Sequence, residues 1–364
     1  QCGQAPFTWL DDPSLGDVIA VEAAVGFRAG SLRDAAAAEG IELPRDPIYD
    51  TAVRTISYRT QDRGALVEAT AMVAYPFEPA DGRTDFDILL LLHGTSGFTD
   101  GCGISDLDEY HILGALFASL GFAVVAPDFI GLKSLGDPTG FPHPYLVGQA
   151  TALASLDAGR ALAKLTPGRR GETCARPRVV AFGGSQGGHA ALWVDRLAPY
   201  YAGELELRGT IATVPPSDIL GQIVPALTSV IDATANTIAM LALAGPWYGL
   251  ADRLDEIFVP PLDGDIPAAL AGSCDPEDAV GTYDTLEEVF QPALLAAAAA
   301  GTLADFGEWG CLLTENGLTT TTIDRLPPTS ESYGILFVLS QLDELVNPAV
   351  ERAAFATLCA RGLR

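Results

Sequence analysis

Short apolar runs alternate along this chain with longer stretches in which apolar residues recur at helical spacing. Ile88–Leu92, Phe122–Ala126, Val179–Phe182, Leu207–Val214 and Tyr333–Ser340 are each too short for a helix and bounded by breakers, which predicts buried strands. Helical spacing fills Asp106–Leu120, Tyr145–Leu165 and Ala349–Ala360, with Gly121 and Gly362 as stops after the first and last. Strand, helix, strand in repetition is the order a parallel sheet with crossover helices requires. Upstream, Val53–Tyr58 and Val67–Ala74 alternate around Asp62-Arg63-Gly64 and predict an antiparallel hairpin that Pro76 ends. Earlier still, Val18–Phe27 reads as a helix, and Leu32–Glu39 as a further helical turn closed by Gly40.

The pattern changes at Ser217. Strand runs stop and helical apolar segments dominate, Ile219–Leu250 and Leu286–Leu303 among them, until about Pro328. A connection of roughly a hundred residues is long for a compact domain, which predicts a functional cap or lid, with a purely structural helical subdomain as the alternative. The expected organisation is an N-terminal helical segment over 1–50, an α/β core over 51–216, a helical cap over 217–328 and a second part of the core over 329–364. The longest uncharged run, 233–251, is interrupted by Thr234, Asn236, Gly245 and Pro246 and predicts a buried or lid helix rather than a membrane span.

With 364 residues, 48% of them hydrophobic and 19% charged, the chain has the length for a large core. Its 21 basic residues face 47 acidic ones, and a net charge of -26 disfavours nucleic acid and anionic lipid as partners. Six scattered cysteines without CxxC spacing argue against zinc, and with Gln1 as the first residue they predict an extracytoplasmic product, secreted or periplasmic. Cys102 falls in the loop that follows the Ile88–Leu92 strand and Cys274 in the expected cap, so a disulfide between them would tether cap to core. Asp157 and Arg160 lie one helical turn apart and predict a structural ion pair.

The chemistry centres on Gly183-x-Ser185-x-Gly187, which follows a predicted strand and opens a predicted helix. In α/β-hydrolases that context makes a nucleophile elbow, where glycines allow a turn tight enough to expose the serine hydroxyl. His93-Gly94-Thr95 follows another strand, where the same fold places an oxyanion loop. The expected oxyanion donors are the backbone N–H groups of Gln186 and Thr95, with His93 structural. Asp343 leaves the carboxyl end of the Tyr333–Ser340 strand, where ligands meet such sheets.

His93-Gly94-Thr95-Ser96-Gly97, Val124-Val125-Ala126-Pro127-Asp128, His143-Pro144-Tyr145-Leu146, Leu156-Asp157-Ala158-Gly159-Arg160 and Gly184-Ser185-Gln186-Gly187-Gly188, in this order, resemble the secretory lipase family of α/β-hydrolases, the Candida antarctica lipase A-like group. The resemblance implies an α/β-hydrolase fold with a helical lid and a carboxylic ester hydrolase, esterase or lipase, that works through a Ser-His-Asp triad and an acyl-enzyme. It carries the nucleophile onto Ser185 and the acid onto Asp343, whose Asp-x-x-Val matches the family pattern. No metal or cofactor is expected. The chain departs from the family in one respect: its four histidines, His93, His111, His143 and His189, all precede Asp343. The expected source of the base is a last strand beyond Arg364, separated by cleavage at Arg361 or Arg364 or by truncation, and retained as a companion polypeptide. An earlier histidine acting instead, or an inactive binding protein, are the alternatives. A serine peptidase or acyltransferase of the same fold is the alternative enzyme, since the triad does not choose the leaving group.

Overall fold

Residues 18–27, expected to be helical, are instead two short strands, β1 (Val18–Val21) and β2 (Val25–Phe27). Val18, Ile19, Val21 and Val25 are β-branched, and the long edge of β3 (Thr51–Asp62) lies open beside them. Pairing with that edge satisfies their backbone and suits their stiff side chains, which outweighs a weak helical period. Helix α1 (Ala29–Ala38) follows, with Gly40 at φ 68° beyond its end. β3 then pairs along its whole length with β4 (Ala65–Pro76), and the turn residues Arg63 and Gly64 both take positive φ, as a two-residue hairpin turn needs.

From there strands and helices alternate as expected: β5 (Asp85–Leu92), α2 (Asp108–Ser119), β6 (Ala123–Pro127), α3 (Gly148–Lys164), β7 (Cys174–Gly184), α4 (Gln186–Tyr201) and β8 (Glu206–Thr213). The computed structural model describes residues 2, 8–165, 171–327 and 333–363. Gln1, Pro328 and Arg364, which figure in the expected start, cap boundary and cleavage site, lie outside these. Among the described residues nine strands form one sheet in the order β1-β3-β4-β6-β5-β7-β8-β9, with β2 also on β3 and β9 spanning Ile335–Val338. The β6-β5-β7-β8-β9 portion is parallel. Ile88, Leu90 and Leu92 of β5 pack on one face with residues of α3 and α4, whereas Leu89 and Leu91 pack on the other with Ala115 and Ala118 of α2. Burial on both faces is why this strand reads as an unbroken apolar run.

Between β8 and β9 the chain is helical: α5 (Ile219–Ala226), α6 (Ala233–Trp247), α7 (Leu262–Leu270), α8 (Pro276–Val280), α9 (Pro292–Ala299) and α10 (Gly307–Asn316). α6 is buried on nearly every side, which accounts for the uncharged run. No helix among the described residues is long and apolar enough to cross a membrane. These helices share one apolar cluster with α3 and α4. Asn316, at the end of α10, fastens them with polar contacts: its Oδ1 accepts from Gly148 N (3.0 Å) and its Nδ2 donates to Tyr248 Oη (3.1 Å). Disulfides join Cys102 to Cys274, as expected, and Cys2 to Cys311, which the sequence did not single out; Cys174 and Cys359 are free and exposed. α11 (Pro348–Ala360) closes the described fold. The Asp157–Arg160 pair forms at 2.7 Å, and Asp157 also accepts from Thr60 and Tyr201.

Gly148 opens α3 against the indole of Trp193, and a Cβ there would lie 2.1 Å from Trp193 Cε2. Trp193 is buried in the shared core and has nowhere to retreat. Gly148→Ala should therefore destabilise by about 1–3 kcal/mol through overpacking. Urea unfolding measures this, and a wild-type midpoint would refute the packing argument.

Candidate active site

β7 runs straight into α4, and Ser185 is the single residue between them, at φ 54° and ψ -122°. A non-glycine residue held there is strained, and such strain persists only where the surroundings enforce it. The enforcement is steric. A Cβ on Gly183 would lie 2.1 Å from Gly187 O, and one on Gly187 would lie 2.0 Å from Leu92 O, so only hydrogens fit where α4 crosses the ends of β7 and β5. Ser185 N–H donates to Thr213 O (2.9 Å) at the end of β8, and Ser185 O accepts from His189 N (3.0 Å) in the first turn of α4. Phe129, Leu146 and Val214 also take positive φ at this end of the sheet.

Ser185 opens onto a cavity of about 420 Å³ whose lining also includes Thr95, Gln186, Tyr145 and Asn236. Ile219, Ile223, Met240 and Val346 add apolar wall, and Asp275 and Glu277 add acidic groups. The volume falls within the range of small-molecule sites. An ideal Cβ on Gly94 would lie 3.8 Å from Ser185 Cβ, so the loop after β5 runs directly beside the serine. Neither Gln186 N–H nor Thr95 N–H has an acceptor among the described residues. His93 Nδ1 sits 2.6 Å from Gly94 O and its ring stacks on Phe129, which turns that carbonyl toward the imidazole. In a trans peptide the following N–H, that of Thr95, points the opposite way.

Asp343 sits at the same end of the sheet, two residues before the cavity-lining Leu345 and Val346. Its Oδ1 accepts from Leu345 N (3.0 Å) and Val346 N (2.7 Å), fixing the loop after β9 and leaving Oδ2 without a partner among the described residues. The structure thus gathers Ser185, Thr95 and Gln186 around one cavity and sets Asp343 on an adjoining loop. None of the four histidines hydrogen-bonds Ser185. His111 Nε2 approaches Ser105 O (2.8 Å) on the other side of the sheet core. His143 Nδ1 pairs with Ile130 O (2.9 Å), so its Nε2 accepts from the Gln186 amide (2.7 Å). His189 Nε2–H and Trp193 Nε1–H both donate to Asn316 O (2.9 and 3.2 Å). Burial pushes His93, His143 and His189 each down to about 4, so all three are neutral packing groups at neutral pH.

Residues 103–259 match the secretory lipase family. That segment contains Ser185 and the β7–α4 turn. No curated protein sequence matches the chain. Among solved structures, the rice cell wall degrading esterase LipA from Xanthomonas oryzae superposes with a TM-score of 0.76 at 18% identity, covering 97% of this chain and 90% of that one. Candida antarctica lipase A in its closed state superposes with a TM-score of 0.66 at 18% identity, covering 97% of this chain and 79% of that one. At such identities the structural likeness shows the fold, that of the α/β-hydrolases, and the family match supports an ester hydrolase.

His189 offers a check on the buried histidines. Its folded pKa, about 4, lies below the unfolded value near 6.5, so its contribution to stability is complete above pH 6.5 and is lost as pH falls toward 4. His189→Gln keeps an N–H for Asn316 O but does not titrate. Between pH 7 and pH 5, wild type should lose more unfolding free energy than the variant in urea titrations; equal losses would place a charged histidine in the core.

Proposed function

We propose that this protein is an extracytoplasmic carboxylic ester hydrolase, an esterase or lipase, that works through an acyl-enzyme on Ser185. The observation that carries this reading is the left-handed Ser185 at a glycine-bounded strand-to-helix turn, facing a cavity with mixed apolar and polar walls, beside backbone N–H groups that have no acceptor among the described residues. Two disulfides favour an oxidising compartment. Ser185 Oγ attacks the ester carbonyl carbon while an imidazole takes its proton. The carbonyl oxygen becomes an oxyanion held by Gln186 N–H and Thr95 N–H, at the N-terminus of α4 where the helix dipole also favours negative charge. The alcohol leaves with the proton from the imidazolium, and water, activated by the same imidazole, hydrolyses the acyl-enzyme. Asp343 Oδ2 orients that imidazole and stabilises its charge. The helices between β8 and β9 act as a cap, and Ile219, Ile223 and Met240 line the acyl site.

The imidazole is none of the four in residues 1–364, since each is committed to another partner. We place it on a segment outside these residues that adds to the edge of β9. That edge pairs with nothing among the described residues, and Leu336 on β9 (56% exposed) and Leu342 (90%) and Leu345 (51%) on the loop after it are open to solvent. An unpaired, apolar strand edge is a template for a further strand. A histidine following that strand would stand over Asp343 at the sheet's carboxyl end. The same committed histidines favour a second reading, a non-catalytic binding protein on this fold. Fluorophosphonate labelling of Ser185 in the natural protein separates the two, because only an activated serine reacts.

Ser185→Ala should lower p-nitrophenyl ester hydrolysis by about three orders of magnitude or more without unfolding the protein. Activity within tenfold of wild type would remove Ser185 from this role. Asp343→Asn should lose most activity and Glu344→Gln little, read as kcat/KM on the same esters, and the reverse ranking would move the acid by one position. Intact mass of the natural, active protein should reveal histidine-bearing sequence beyond residues 1–364. An active preparation holding only these residues would defeat the docked segment.

A further inference from the structure

Three hydroxyl and amide groups in the cavity wall form a directed chain. Asn236, on α6, donates from Nδ2 to Tyr145 Oη at 3.1 Å, and Tyr145 Oη lies 2.7 Å from Thr95 Oγ1. The amide nitrogen can only donate, so the tyrosine oxygen accepts there. Tyr145 is buried and its hydroxyl has no acceptor other than Thr95 Oγ1 among the described residues, so its proton is satisfied only by donating there. Thr95 therefore accepts, and its own proton cannot point back along the same contact. Thr95 Oγ1 has no other partner among the described residues, and Thr95 shares the cavity with Ser185 and Gln186. Tyr145 is 3% exposed and burial raises its pKa, which keeps its proton in place at neutral pH.

We infer that Thr95 is a catalytic residue through its side chain: its hydroxyl donates a further hydrogen bond to the oxyanion, beside the backbone donors, while Tyr145 and Asn236 are positioning residues that fix the direction of that proton. This inference rests on the ester-hydrolase reading above. A hydroxyl free to rotate would lose orientation each time charge develops, whereas one whose acceptor side is already occupied is preorganised. Since Asn236 belongs to the cap and Thr95 to the loop after β5, the chain is complete only while α6 is seated over the core. Cap position and oxyanion stabilisation are thereby linked through one tyrosine hydroxyl.

The test uses the natural, active protein and its variants with p-nitrophenyl acetate, with folding followed by circular dichroism. Thr95→Val removes the hydroxyl at nearly constant shape and keeps the backbone N–H. It should lower kcat about 100-fold, the scale of losing one oxyanion donor, with KM within threefold. Thr95→Ser should stay within about fivefold of wild type in kcat, a rescue that a purely structural threonine would not require of a hydroxyl. Tyr145→Phe and Asn236→Leu should each lower kcat about tenfold on the wild-type background but change it less than twofold when added to Thr95→Val, because the chain then has nothing to orient. If Thr95→Val does not fold, Thr95→Ala carries the same expectation. Should Ser185→Ala abolish hydrolysis while Thr95→Val keeps wild-type kcat, the ester-hydrolase reading stands and this inference is overturned. Should wild type and Ser185→Ala behave alike, the reading itself falls and takes the inference with it.

Discussion

The structure depends on how closely α4 is pressed onto the ends of β7 and β5. Leu92 O and Gly187 O would each lie about 2 Å from a Cβ on Gly187 or Gly183, and no rotamer of any side chain relieves a clash with backbone. Glycine at both positions lets the helix start immediately after the strand. The residue between them must then take a left-handed conformation that serine adopts only under constraint. The constraint comes from both sides: Thr213 O grips Ser185 N–H, and Ser185 O is already the first acceptor of α4. Remove the close approach and the serine becomes an ordinary turn residue, without the exposed hydroxyl, the helix N-terminus or the neighbouring loop.

A second layer holds the helices between β8 and β9 in place over this turn. Apolar packing alone permits sliding, because Leu, Ala and Ile faces interdigitate in more than one register. Polar contacts remove that freedom. Asn316 has hydrogen-bonding partners on α3, α4 and the residues after α6, and a misplaced α10 would strand all of them in the interior. Glu351 does the same at the other end: its buried carboxyl receives Ser217 N (3.0 Å), the Ser217 hydroxyl and Gln222 Nε2 (2.7 Å), and burial raises its pKa. Helical segment and core therefore share a single apolar cluster with polar pins at defined points.

Most of the core was legible because its signals are local. The run Ile88–Leu92, the Arg63-Gly64 turn and the Gly183-x-Ser185-x-Gly187 pattern each state their conformation within a few residues. Where structure depends on distant partners, the sequence is silent or misleading. Val18–Phe27 has a helical period, yet the open edge of β3 decides its state, and nothing within those residues announces that edge. Cys2–Cys311 closes across 309 residues and has no local mark, whereas Cys102–Cys274 was inferable from one cysteine in the loop after β5 and the other in the expected cap. Asn236 and Tyr145 passed as a break in an apolar run and the start of a helix. Only the folded chain brings their polar atoms together with Thr95.

The walls of the cavity differ in how they are held. Cys274 lines it and is bonded to Cys102, and an ideal Cβ on Gly97 would lie only 2.3 Å from Cys102 Cβ and 2.9 Å from Cys274 Cα, so this side is both tied and tightly packed. The wall made by α5 and the loop after β9 is held differently. Gln222 pairs with the Asn347 N–H (2.8 Å) and carbonyl (3.2 Å), and Ile219, Ile223, Leu345 and Val346 line the cavity on this side. Hydrogen bonds of this kind contribute about 1 kcal/mol each, far less than a covalent bond. The covalent tie and the tightest packing therefore lie on the Cys102–Cys274 side, whereas α5 and the Asp343 loop are held to each other by hydrogen bonds and apolar side chains.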